Sequence, residues 1–76
     1  MNQGKIEEVE VIEEIATPDL VNQTLQEASK IAKENGVELV IENEVEELDR
    51  QNTIVREQVP KAGIMIKKGS KVYVKY

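Results

Sequence analysis

The dipeptide Asn35-Gly36 separates two stretches with different hydrophobic periods, and this switch limits the fold more than any other feature of the chain. Before it, Leu25, Ala28, Ile31 and Ala32 recur at three- and four-residue intervals, the apolar stripe of a surface helix. Lys30, Lys33 and Glu34 occupy the opposite side. Thr24 and Glu27 have the spacing of a capping box, in which each side chain satisfies a free amide at the helix start. Gly36 supplies the stop, because glycine accepts the left-handed backbone that ends helices. One helix is therefore predicted over about 25–35. After Gly36 the period becomes two: Val37, Leu39 and Ile41 alternate with Glu38, Val40 and Glu42, which predicts a half-buried strand at about 37–43.

Residues 43–52 are mostly acids and amides and read as a loop or ragged strand end. A second strand is expected at about 53–59, and Pro60 and Gly63 then mark a turn. Ile64, Met65 and Ile66 lead into the Lys68-Gly69 turn, and a last strand follows at about 71–76 with Val72 and Val74 inward. Upstream, Pro18 biases Thr17 toward an extended backbone, so Ile15 to Pro18 reads as a short N-terminal strand. Residues 1–14 read as a linker or vector-derived lead-in, and 15–76 as the domain. In the lead-in, Ile6, Val9, Ile12 and Ile15 fit a helix face, while Val9, Val11 and Ile15 fit a strand equally well. The expected class is α+β: one helix packed on a three-stranded antiparallel sheet, since closely spaced strands joined by turns pair antiparallel.

Seventy-six residues make one small domain, and 39% hydrophobic with 33% charged residues is a globular balance. Tyr73 and Tyr76 are the whole aromatic content, so the core must be aliphatic and little surface remains for stacking bases or sugars. The net charge of −5 disfavours nucleic acid, which is bound through concentrated Lys and Arg. Lys61, Lys67, Lys68, Lys71 and Lys75 gather near the C-terminal end. They read as solvated strand edges that deter edge-to-edge pairing, with an anionic partner as the alternative. No run approaches the ~20 apolar residues of a membrane span, so no membrane insertion by this segment is expected.

Without Cys or His the chain lacks a thiolate, the commonest general base and the commonest metal ligand. The pairs Glu7-Glu8, Glu13-Glu14 and Glu46-Glu47 diverge if they sit on strands. The acids from Glu42 to Asp49 lack the spacing of an EF-hand loop, and the isolated glycines form no phosphate-binding loop. The inventory points to a non-enzyme with no cofactor and no metal.

Two ordered blocks carry a family resemblance. The first is Thr17-Pro18-Asp19-Leu20-Val21, then Thr24, Glu27-Ala28 and the helix-ending Gly36. The second is Val55-x-x-Gln58-x-Pro60-x-x-Gly63, followed by Lys68-Gly69-Ser70 and Val72-x-Val74. Together they resemble the PASTA domain, a module appended to penicillin-binding proteins and bacterial serine/threonine kinases. Asn22 stands where the family usually has Gly, and Asn tolerates a left-handed backbone better than most residues. Thr17 replaces the usual Val, which implies a first strand less firmly anchored. Asp19 is expected to accept amide hydrogen bonds in its turn, and Gln58 to tie its strand to the neighbouring loop.

The resemblance implies a non-catalytic, extracytoplasmic module on the outer face of the cytoplasmic membrane, facing the cell wall of a Gram-positive bacterium. Its implied partners are peptidoglycan fragments or β-lactam-like ligands, bound weakly, or the parent transpeptidase or kinase domain on which it docks. A lone C-terminal copy is similar to the arrangement in sporulation-type class B penicillin-binding proteins, and the isolated domain is expected to be a monomer. From charge alone, Arg56, Lys67, Lys68 and Lys71 are candidates to pair a stem-peptide carboxylate, and Glu57 an amine.

Overall fold

The computed structural model describes residues 13–76. The helix-or-strand alternative at Ile6, Val9, Val11 and Ile12 falls outside the described residues. The elements in order are β1 (Glu14–Ala16), α1 (Leu25–Glu34), β2 (Glu38–Ile41), β3 (Glu57–Val59), β4 (Met65–Lys67) and β5 (Lys71–Lys75). The fold is the α+β class expected from the periods.

Both ends of α1 follow from their residues. The Thr24 hydroxyl accepts the Glu27 amide at 3.1 Å, the first half of the capping box. Loop carbonyls take the next free amides, Leu25 N–H donating to Thr53 and Gln26 N–H to Arg50. At the other end Gly36 has φ +73°, and the amides of Gly36 and Val37 reach back to the carbonyls of Lys33 and Ala32. That is the paired bonding of a Schellman stop, and it turns the chain directly into β2.

The expected sheet needs correction in pairing and extent. There are two sheets: β1 pairs antiparallel with β4, and a three-stranded sheet runs in the order β2-β5-β3. In it β3 is antiparallel to β5, but β2 is parallel to β5, with Leu39 opposite Val72 and Ile41 opposite Val74. Adjacent-strand reasoning fails because the last strand inserts between two earlier ones. Residues 42–70 supply the long crossover that parallel pairing requires. The middle strand spans 57–59 rather than 53–59, because residues 53–55 bond to the segment before the helix instead. Ile64 to Ile66, expected only as a lead into a turn, ends in β4.

The core is aliphatic, as the composition demanded. Leu20, Leu25, Ala28, Ala32, Val37, Val55, Val72 and Val74 are buried, and Ile15, Leu39, Ile41, Leu48 and Ile66 close around them. Strand alternation places Val72 and Val74 inward and leaves Tyr73 40% exposed on the other face. Thr17 does not loosen the first strand. It is buried, its hydroxyl donates to the Ile64 carbonyl at 2.6 Å, and its own carbonyl accepts the Gly63 amide at 2.9 Å. The hydroxyl replaces the packing of a valine methyl with a bond across to the start of β4.

Candidate functional site

Gln58 lines a cleft beside β3. It is buried opposite Val74, and its side chain bonds on three sides. Its carbonyl oxygen accepts the Leu20 amide at 2.7 Å, while Nε2 donates to the carbonyls of Pro18 (2.9 Å) and Pro60 (3.0 Å). One side chain therefore fixes the Pro18-Asp19-Leu20 turn and the Pro60 turn against β3. With these three bonds its side chain is committed to the wall of the cleft.

The two turns it holds flank a cleft of about 570 Å³ beside β3. Asp19 and Val21 line one bank, Arg56, Glu57 and Val59 the strand side, and Lys61 and Ala62 the end beyond Pro60. Asp19 is oriented by its own turn, with Oδ1 accepting the Val21 amide at 3.3 Å. Asn22 makes that turn possible at φ +73°, the geometry for which glycine is the usual choice. Arg56 is anchored through its backbone, its amide donating to the Lys75 carbonyl at 2.8 Å. Among the described residues no carboxylate lies within ion-pair distance of its guanidinium. Glu57 has an exposed partner in Lys75 at 3.8 Å, a surface pair that contributes little to stability. The cleft thus offers two cations, Arg56 and Lys61, and two anions, Asp19 and Glu57, over an apolar floor of Val21, Val59 and Ala62.

The five residues singled out by charge do not form one site. Arg56 and Glu57 line the cleft. Lys67, Lys68 and Lys71 lie at the β4–β5 turn, and Lys71 stands at the opposite end of β5 from Lys75, about 13 Å along the strand. Each of these lysines faces an acid: Lys67 is opposite Glu14, Lys71 opposite Glu38, and the Lys68 ammonium is 3.6 Å from Glu13. The Lys68 stem also lies over Gly36, where a Cβ would come within 2.8 Å of it. The other residues lining the cleft are Asp19, Val21, Val59, Lys61 and Ala62, of which only Lys61 belongs to the basic cluster noted by charge. For Gln58 the sequence predicts only a tie between its strand and a neighbouring loop, and the structure identifies that loop as Pro18 to Leu20.

Elsewhere the acids stay dispersed. Among the described residues no three acidic groups converge on a point that would hold a metal ion. In the loop before β3, Arg50 pairs with Glu44. The Asn52 side-chain amide on Asp49 holds that carboxyl below its ordinary range, helped by the Gln51 and Asn52 backbone amides and partly opposed by desolvation. No described helix is long and apolar enough to cross a membrane.

Comparison with known families gives a match to the PASTA domain over residues 15–76. No curated protein and no solved structure matches the chain.

Proposed function

The chain belongs to the PASTA domain family, whose members are non-catalytic modules associated with penicillin-binding proteins and kinases, and from that premise we propose that it associates weakly with peptidoglycan through the cleft beside β3. The observation that carries this reading is the Arg56 guanidinium, which lines a cleft of about 570 Å³ without an acidic partner among the described residues. A stem-peptide carboxylate supplies the missing partner in a charge-assisted pair, and an amine is received by Asp19 on the opposite bank or by Glu57 beside Arg56. The same reading puts the domain outside the cytoplasmic membrane, against the wall, as a module of a penicillin-binding protein or kinase.

Titrating muropeptides into the ¹⁵N-labelled protein tests it. Amide shifts are expected at Asp19, Val21 and Arg56 to Ala62, and they should shrink as salt screens the ion pairs. Shifts confined to the Lys67–Lys71 turn would move the site to the other end of β5. The absence of any shift at millimolar muropeptide would leave docking on the parent domain as the function.

A further inference from the structure

The backbone beside the cleft is an unfinished ladder. β3 has one strand neighbour, β5, so its other edge has no strand partner among the described residues. Just before β3 that same edge is occupied by the chain itself. Asn22 N–H donates to the Val55 carbonyl at 2.9 Å, Val55 N–H donates to the Gln23 carbonyl at 2.8 Å, and Thr24 bridges Ile54 antiparallel. At Arg56 this internal strand mate ends, because the chain turns away through Val21 and Asp19 under the tie from Gln58. The cleft opens along residues 56–59, where alternation turns the N–H and C=O of Gln58 away from β5 as the next rung.

We propose that the occupant is a short extended peptide carrying a carboxylate, added as a strand to the free edge of β3 in line with Asn22–Thr24. The inference rests on the reading above and deepens it: the peptide part of the wall is recognised, through its backbone, and the glycan is not. Three observations fit this occupant. The strand is only Glu57–Val59, about 10 Å of ladder, which three or four ligand residues span. Val59 is 59% exposed beside Val21 and Ala62, giving apolar contact for alternate ligand side chains. Arg56 stands where the internal mate stops, placed to take a carboxylate at one end of the added strand, while Lys61 stands beyond Pro60 at the other.

The test uses the whole chain and three probes: a sugar-free stem tetrapeptide, the same peptide N-methylated along its backbone, and the peptide-free disaccharide. The tetrapeptide should shift the amides of Arg56 to Val59 and slow the hydrogen exchange of Gln58, whose N–H faces away from β5, while the Arg56 amide already donates to Lys75. N-methylation should weaken binding at least ten-fold, and Arg56→Gln should weaken the unmethylated peptide by about ten-fold. Equal binding of the N-methylated peptide, or β3 shifts produced by the disaccharide alone, overturns the strand addition while wall association stands. If neither these probes nor intact muropeptide bind, both readings fall. Arg56 is exposed on the cleft and Arg56→Gln keeps its backbone bond to Lys75, so loss of folding does not confuse the result.

Discussion

Gln58 does with one side chain what a larger protein does with an extra strand: it satisfies an amide and two carbonyls from two separate turns. Truncation to Ala leaves the fully buried Leu20 amide without its acceptor. Gln58→Ala should therefore cost about 2–4 kcal/mol in urea unfolding, well above a surface substitution. Thr17→Val restores the family's usual residue and removes the hydroxyl bond, but the Ile64 carbonyl keeps the Thr17 amide at 2.8 Å. A change below about 1 kcal/mol is expected from the same measurement. Gly63 and Asn22 give opposite signs for the same reason. At φ +89° Gly63 has open space around a would-be Cβ, so Gly63→Val pays for backbone geometry alone. That is about 1–2 kcal/mol, a fall in Tm of several degrees by calorimetry. Asn22→Gly relieves the strain at φ +73° and should be neutral or slightly stabilising. Asp49 has a depressed pKa, chiefly through the Asn52 side-chain amide. Its contribution to the 49–53 loop is present above the unfolded carboxyl value and fades as pH falls through the folded one. Asn52→Ala should move the Asp49 titration upward, which a carboxyl-carbon NMR titration reads directly.

At the scale of elements, α1 was legible to within a residue because three independent signals agreed: the apolar stripe, the Thr24 cap and the Asn35-Gly36 stop. Thr24→Ala should cost about 1 kcal/mol of stability, since the Glu27 amide loses its acceptor. The strands were legible as elements and illegible as partners. Alternation along Lys71–Lys75 told which side chains face in, and they do, but no local pattern distinguishes a parallel from an antiparallel neighbour. That pairing is set by the crossover through residues 42–70, a long-range property. β3 was overextended because Thr53 to Val55 have strand character and do pair, only with Gln23 to Leu25 instead of β5. The candidate cleft was half legible on the same grounds. Arg56 and Glu57 could be chosen by charge, whereas Asp19 and Lys61 join them only through the tertiary tie made by Gln58.

For the molecule as a whole, β5 is the element on which both halves of the main sheet depend. Every residue of β2 is in register with it, as is every residue of β3, and Val72 and Val74 are fully buried. Tyr76 adds a clamp, its hydroxyl donating to the Asn43 carbonyl at 2.5 Å. Removing residues 71–76 takes away the centre of the sheet rather than an edge, so the truncated chain should lose its dispersed amide spectrum entirely. A residual folded helix-and-hairpin spectrum would refute that account. The order of synthesis gives this arrangement a further consequence. A nascent chain is made from its N-terminus, and here the strand that joins the others is the last to be made. Residues 13–70 hold both strands of the β1–β4 pair but not the centre of the three-stranded sheet, so that sheet closes only when Lys71–Lys75 emerge.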